Sequence, residues 1–255
     1  MTKGFSLSAF DIFTTAGLLG YESAFGIPED ILTKHRDQLR KMIRQSMRRL
    51  ERKKLLRYDL SGILHIRPDF RGAIECLCQP HTVGLIEHNL SGGRKTVLHL
   101  LRTRSHTALL EPDGPEHYRL RLTDTLPELL PQTAEGDLHE QMLLEEAQLV
   151  KSQIASFDHE TAEKQLLSHV REPGNVPALL QVLSGSCSYV NLRVLRKEKA
   201  LYRTIYHSFT ALAEDRLIRV VSDEHDVVCF DSTDPRTLLG QFRESMEIQT
   251  QRGAQ

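Results

Sequence analysis

The chain has 255 residues, of which 40% are hydrophobic and 26% charged, and its formal net charge is −1. This composition is typical of a folded globular protein and excludes an intrinsically disordered chain. No apolar run approaches the roughly 18 residues that a membrane span requires. Because the first residues also lack the apolar core of a signal peptide, and the four cysteines are sparse and irregularly spaced, we expect a cytoplasmic protein.

The net charge hides an asymmetry along the chain. Residues 1–80 contain 14 Lys and Arg against 9 Asp and Glu, a surplus of 5. The remaining residues, 81–255, contain 19 Lys and Arg against 25 Asp and Glu, a deficit of 6. A basic field over the whole protein, which many nucleic-acid-binding proteins have, is therefore absent, and only a local basic patch is left.

The N-terminal part, residues 1–80, is predicted to resemble a winged helix. Ser8 can cap a first helix over residues 9–19, and Pro28 favours the start of a longer helix that continues to about Leu55. Two strands, 55–59 and 63–67, then form a β-hairpin. In the long helix, four apolar residues at helical spacing predict the inward face: Leu39, Ile43, Met47 and Leu50.

After Pro80 the pattern changes to two similar units, which predicts an α+β fold with an antiparallel sheet flanked by helices. The units cover residues 81–132 and 186–248, and each contains two β-hairpins followed by a helix. Eight strands are predicted: 83–88, 96–102, 107–111, 118–122, 189–195, 200–206, 217–221 and 227–230. Residues 133–185 form a separate acidic region with a helix over about 139–170 and a short apolar helix over 176–183, and residues 249–255 form a frayed tail.

The motifs of known enzymes fail at the positions that carry their chemistry. Residues 91–95 resemble a phosphate-binding loop but lack its glycine spacing, so a hairpin turn explains them better. His139 begins a zinc-protease motif, but Leu143 stands where the second histidine is required. The thiols of Cys76 and Cys78 have no second close pair of ligands. We therefore expect no catalytic residue, no metal site and no cofactor.

The basic segment 34–54, with ten basic and two acidic residues, supports two interpretations. As the recognition helix of a winged-helix transcription regulator, it would bind DNA phosphates and make binding sensitive to salt. Alternatively, it pairs inside the protein with the acidic helix, at Glu140, Glu145 and Glu146. The candidate nucleic-acid-binding residues are Arg36, Arg40, Lys41, Arg44, Arg48, Arg49, Arg52, Lys53 and Arg57.

Residues 50–131 contain four consecutive stretches that resemble a known family. They read LERKKLLRYDLSGILHIRPDFRGAIECLCQP, TVGLIEHN, TVLHLLRTRSHTALLEP and YRLRLTDTLPELLP. In the order and pattern of these stretches the chain is similar to the EspG-type proteins, the cytoplasmic chaperones of the ESX (type VII) secretion systems. The resemblance implies a pseudo-repeated mixed sheet between helical bundles and a non-enzymatic protein that holds a secretion substrate before export.

A helical export substrate, such as a paired helical hairpin, would need a surface that grips its tip. The loops between the predicted strands can supply such a surface, although a solvated turn is the better explanation of any single loop. The candidate partner-binding residues are Ser91, Gly92, Gly93, Arg94, Lys95, Arg196, Lys197, Glu198 and Lys199. A secretion chaperone or adaptor is thus the first hypothesis, a winged-helix regulator the second, and an enzyme on this scaffold the third.

Overall fold

The computed structural model describes residues 4–28, 30–34, 36–90, 94–123, 147–150, 176–183, 187–213, 216–222, 227–233 and 235–247. Its helices are α1 (Ala9–Leu18), α2 (Asp30–Lys34), α3 (Leu39–Arg52), α4 (Pro68–Cys78), α5 (Val176–Leu183) and α6 (Pro235–Glu247), with a 3-10 turn at Arg36–Gln38. Within these ranges no helix is long and apolar enough to cross a membrane.

The strands are β1 (Gly4–Ser8), β2 (Leu56–Tyr58), β3 (Leu64–Ile66), β4 (Thr82–Leu90), β5 (Arg94–Arg102), β6 (Thr107–Pro112), β7 (His117–Leu122), β8 (Ala147–Val150), β9 (Ser188–Glu198), β10 (Leu201–Ala213), β11 (Arg216–Ser222) and β12 (Val227–Ser232). A large antiparallel sheet has the strand order β1-β7-β6-β5-β4-β9-β10-β11-β12-β8, and β2 pairs with β3 in a separate hairpin. The eight strands predicted after Pro80 are all present. That the two hairpin units are a repeat, and that the N-terminal part is a winged helix, stay predictions.

Strand β1 is an element that the sequence reasoning missed. It pairs antiparallel with β7, with Phe5 opposite Leu120 and Leu7 opposite Tyr118. Phe5 and Leu7 are buried while Gly4 and Ser6 are exposed, which is the alternation of a strand with one buried face. The signal was present in the sequence, but four alternating residues before a strong helix cap were too short to stand out.

The long helix predicted from Pro28 to Leu55 is wrong, because the chain divides into α2, the 3-10 turn and α3. Residues on both sides of the break, Ile31 in α2 and Leu50 in α3, are buried in the same hydrophobic cluster. The predicted start and cap of α1 are confirmed, since Ser8 caps this helix and Asp11 completes a capping box.

The described residues belong to two compact units. Unit 1 takes them from Met1–Leu85, Val97–Pro127 and Leu195–Arg203, and unit 2 from Ile86–Thr96, Glu128–Val194 and Thr204–Gln255. The core of unit 1 gathers around α4, where the Phe70 and Phe5 rings lie 5.3 Å apart between centroids. In unit 2, Phe242 of α6 is buried and meets the edge of the Tyr206 ring at 6.5 Å between centroids.

The region between the two hairpin units corrects one prediction and confirms another. Of the helix predicted over residues 139–170, the structure describes only 147–150, and these residues form strand β8, paired antiparallel with β12. A helix is therefore the wrong prediction at these four residues, because pairing of their backbone with β12 overrides the local apolar spacing. Helix α5 occupies the predicted residues 176–183. The remaining residues of the acidic region, the helix expected after Leu122 and the tail 249–255 lie outside the described residues.

Candidate partner-binding face

Helix α3 has two faces, and a buried carboxylate fixes the inner one. Asp11, in the first turn of α1, has only 2% of its side chain exposed. Its Oδ1 atom accepts hydrogen bonds from Ser46 Oγ at 2.6 Å and from Arg49 Nη2 at 2.9 Å, and its Oδ2 atom accepts one from the backbone N–H of Ser8 at 3.0 Å. Burial raises the pKa of Asp11, but these hydrogen bonds and the Arg49 charge outweigh it and hold that pKa below its ordinary value.

Burial along α3 departs from the predicted apolar face at one position. Ser46 and Leu50 are buried, and Leu39 and Met47 pack partly buried against the core, whereas Ile43 has 39% of its surface exposed. The prediction that Ile43 faces inward is therefore wrong. Ile43 is exposed although the spacing of seven residues places it on the same side of the helix as buried Leu50, so helical spacing alone does not decide burial.

The outer face of α3 carries a row of exposed cations, Arg40, Arg44, Arg48 and Arg52, with Lys41 beside them. Because the four arginines are spaced four residues apart, they lie along one side of the helix. None of the five makes an ion pair with another residue in the described part of the chain. The outer face is therefore a strongly positive strip.

The other predicted nucleic-acid-binding residues have different positions. Arg49 is bound to Asp11, and Lys53 Nζ donates to the backbone oxygen of Ser6 at 2.6 Å, so both cations stabilise the packing of α3. Arg36 lies in the 3-10 turn before α3, and Arg57 is exposed on β2. The acidic residues at 140, 145 and 146 are outside the described residues, so their pairing with the basic helix stays a prediction.

The β2–β3 hairpin next to α3 has a turn that is held by one aspartate. The Asp59 carboxylate accepts hydrogen bonds from the N–H and the hydroxyl of Ser61, at 2.9 and 2.6 Å, and from the N–H of Ile63 at 2.9 Å. His65 Nε2 lies 2.8 Å from Asp59 Oδ2. The bonds from Ser61 and then His65 hold the pKa of Asp59 far below its ordinary value. Gly62, with φ of +80°, supplies the left-handed residue that the turn needs.

This rigid hairpin presents apolar side chains to solvent. Leu60 is fully exposed, and Ile63 and Tyr58 have 59% and 51% of their surface exposed. Half of the six large apolar residues that are exposed in the described part of the chain therefore lie on one hairpin. Sequence reasoning treated this turn only as a wing. Leucine and isoleucine on either side of Ser61-Gly62, where turns usually carry polar residues, were the signal that it missed.

A pocket of about 530 Å³ lies between the C-terminal end of α3, this hairpin and the start of α4. Buried Leu55 and Leu56 give it an apolar base. Its exposed cationic lining includes Lys54 and Arg57, neither of which is ion-paired with a described residue. Glu51 is also part of the lining. The pocket thus combines an apolar base with a rim that is mainly positive.

The predicted partner-binding loops fall in the two different units. Residues 91–93 lie outside the described residues, and Arg94 and Lys95 begin β5. In unit 1, Arg196, Lys197 and Glu198 end β9, and Lys199 follows in the turn with φ of +57°. Lys197, Glu198 and Lys199 are exposed and Arg196 is partly buried. The second loop is therefore accessible, while contact of either loop with a partner stays a prediction.

Three other titratable groups of the interior, Cys76, Cys78 and His99, are held in their neutral forms. Burial raises the pKa of the Cys76 thiol to about 11 and that of Cys78 to about 12, and it lowers the pKa of His99 to about 4. At neutral pH both thiols are protonated, so neither has the thiolate character of a nucleophile. No group of three or more His, Cys, Asp or Glu residues in the described ranges could hold a metal ion.

Comparison by sequence with family models and with curated proteins found no match. Comparison of the fold with solved structures found a similar one: the Mycobacterium tuberculosis type VII secretion system chaperone EspG5, in complex with a PE25–PPE41 dimer. The two chains are 10% identical in sequence, the TM-score is 0.64, and the alignment covers 96% of this chain and 97% of the other. The similarity is one of fold, extending over nearly the full length of both chains.

Proposed function

We propose that this chain is a non-catalytic chaperone or adaptor that binds a protein, holding an export substrate of a type VII-like secretion system in the cytoplasm. The observation that supports the proposal is the fold likeness to EspG5, with a TM-score of 0.64 over 96% of this chain. Because the alignment spans nearly all of both chains, the likeness extends beyond a common substructure such as a pair of hairpins. The solved chaperone is bound to a protein dimer, which makes a protein client the first candidate here.

The turn at Arg196–Lys199 is the described surface that we assign to the client. Its three exposed charged residues, Lys197 to Lys199, lie at the end of the β9–β10 hairpin. The backbone beneath them is fixed, because the N–H of Lys197 donates to the carbonyl of His81 at 2.9 Å. A fixed turn with charged side chains can contact the polar tip of a helical hairpin at little cost in conformational entropy.

The test is co-expression of this chain with the helical exported protein that is encoded beside genes for an export ATPase. We expect the client to aggregate alone and to elute with this chain as a complex in size-exclusion chromatography with light scattering. The Lys197→Ala/Lys199→Ala variant should weaken the complex about tenfold, a loss typical of contact residues at an interface. The matched control, Arg104→Ala/Ser105→Ala in the exposed turn between β5 and β6, should leave it unchanged.

Two results would contradict the proposal. If the neighbouring exported protein stays soluble alone and never co-elutes, the chaperone role is wrong. If the complex forms but both double variants bind equally well, the role stands and the assigned turn is wrong.

A second candidate, a winged-helix DNA-binding regulator, is favoured by the exposed cations on the outer face of α3. Fluorescence anisotropy with duplex DNA, titrated across salt, would compare the wild type with the Arg40→Glu/Arg44→Glu/Arg48→Glu variant. Tight binding with a steep salt dependence that the variant loses would establish phosphate contacts. Weak binding that ignores the substitutions would exclude this function for α3.

A further inference from the structure

We infer that the β2–β3 hairpin and the pocket beside it form a docking site for an acidic amphipathic helix of a partner protein. This inference goes beyond the proposed function, because it concerns another surface of unit 1 and does not require the partner to be an exported protein. Three observations carry it: exposed apolar side chains on a rigid turn, a pocket with an apolar base, and rim cations that have no ion-pair partner among the described residues.

The exposed apolar side chains are presented in a fixed arrangement. The Asp59 carboxylate binds three donors within the turn and also contacts His65, so Leu60 and Ile63 project from a backbone that has little freedom left to lose. Neither side chain contributes to the core, since Leu60 is fully exposed and Ile63 is 59% exposed. Apolar residues held rigidly in water are a feature of surfaces that bind partners.

The pocket indicates an occupant with both apolar and negative groups. Leu55 and Leu56 at its base offer a bare phosphate no hydrogen bond, whereas an apolar side chain can pack against them. Lys54 and Arg57 at the rim would instead pair with carboxylates while an apolar side chain fills the base. An amphipathic helix supplies this combination, with an apolar stripe and acidic residues along its flanks.

The charge of the surrounding surface strengthens the choice of an acidic partner. The outer face of α3 adds Arg48 and Arg52 near the same end of the helix, and both are exposed. Glu51 is the acidic residue of the pocket lining, so cations outnumber it. A basic helix would be repelled from this site, whereas an acidic helix would be attracted before contact and paired after it.

The test uses three labelled peptides of about 18 residues, long enough to form a helix, that share one apolar face and carry Glu, Gln or Lys on the polar face. Anisotropy with the full chain should show the Glu peptide binding about tenfold more tightly than the Gln peptide, and no binding of the Lys peptide. Lys54→Glu/Arg57→Glu and, separately, Leu60→Ser/Ile63→Ser should each weaken the Glu peptide about tenfold or more.

The matched control is Arg40→Glu/Arg44→Glu, which changes the net charge equally at exposed positions of α3 outside the pocket lining. It should alter the affinity less than about twofold at physiological salt, where distant exposed charges are screened. Circular dichroism of every variant checks that the fold is retained, as expected for exposed positions. Equal loss in the control, or no loss in the hairpin variant, overturns the site.

Two further probes decide the class of partner. Duplex DNA and vesicles containing an anionic phospholipid are titrated against the same variants. If either probe binds more tightly than the Glu peptide, and the Leu60→Ser/Ile63→Ser variant no longer binds it, the hairpin binds nucleic acid or a membrane. The inference of an acidic helix is then wrong. Because no export substrate is used, failure here leaves the proposed chaperone function untouched.

Discussion

Arginines on the two faces of helix α3 have different roles. On the inner face, Arg49 is tied to the buried carboxylate of Asp11 at 2.9 Å, and Leu50 is fully buried. On the outer face, Arg48 is exposed and makes no ion pair within the described ranges. Adjacent arginines therefore differ in role because they differ by about 100° around the helix axis. A run of basic residues is not one functional feature, and its members have to be assigned singly.

Unit 1 also contains two carboxylate hydrogen-bond networks, around Asp11 and Asp59, with different roles. The Asp11 network is buried, joins α1 to α3 and stabilises the fold. The Asp59 network is exposed and local, and it shapes the hairpin turn without contributing to the core. A carboxylate with several hydrogen bonds can thus serve stability or presentation, depending on whether it links distant elements or closes one turn.

The largest expected effect comes from removing the apolar anchor of the inner face. Leu50→Ala should lower the free energy of unfolding by about 2–5 kcal/mol, because it leaves a cavity in a core that cannot fully collapse. Ile43→Ala, at an exposed position of the same helix, should cost less than about 1 kcal/mol. Urea denaturation monitored by circular dichroism measures both, and equal losses would show that Leu50 is no more important to the core than the exposed Ile43.

The next effect comes from the buried carboxylate. Asp11→Asn should lower the free energy of unfolding at pH 7 by about 2–3 kcal/mol, since charge-assisted hydrogen bonds from Ser46 and Arg49 are weakened. Because the folded pKa of Asp11 lies below the ordinary value of 3.8, this stabilisation is complete above about pH 5 and is lost as the pH falls through 3.8 towards the folded pKa.

The difference in stability between the wild type and Asp11→Asn should therefore shrink as the pH is lowered from 6 to about 3. Denaturation curves at several pH values measure it, with Arg48→Met as a control that should behave like the wild type throughout. A difference that stays constant with pH would mean that Asp11 acts only as a neutral cap of α1.

The smallest effect is expected on the outer face. Arg44→Gln/Arg48→Gln should raise the free energy of unfolding by a few tenths of a kcal/mol at low ionic strength, since like charges four residues apart repel. The gain should vanish in high salt, where exposed charges are screened. A loss of more than about 1 kcal/mol would instead reveal that these arginines have a partner in the folded chain.

Local signals in the sequence predicted much of the fold. Ser8 as a capping residue placed the start of α1, and Val176–Leu183 is apolar enough to be recognised as a short helix. The eight strands after Pro80 are bounded by clear turn residues, and Leu217 to Val221, for example, falls within β11. The wrong predictions concern residues whose secondary structure depends on a distant part of the chain. Residues 147–150 form a strand because they pair with β12.

The candidate site was less accessible to sequence reasoning than the fold. The cations of α3 were identified, but nothing in their order distinguished Arg49 and Lys53, which bind Asp11 and Ser6, from Arg44 and Arg48, which form no ion pair with a described residue. The sequence pattern around Leu60 and Ile63 fits any hairpin, so it did not indicate that these two side chains are exposed. The pocket beside them is lined by residues from three elements, so no single stretch of sequence could predict it.

By itself, the sequence determined the α+β composition, the strands after Pro80, the capped first helix and the concentration of positive charge on one helix, because each depends on spacing, turn chemistry or charge within a few residues. Only the tertiary structure decided that Ser46 turns inward to a carboxylate 35 positions earlier, that the long helix breaks before Leu39, and that a pocket forms beside an apolar turn. These features depend on which elements meet, and that is set by burying the whole chain's apolar surface at once.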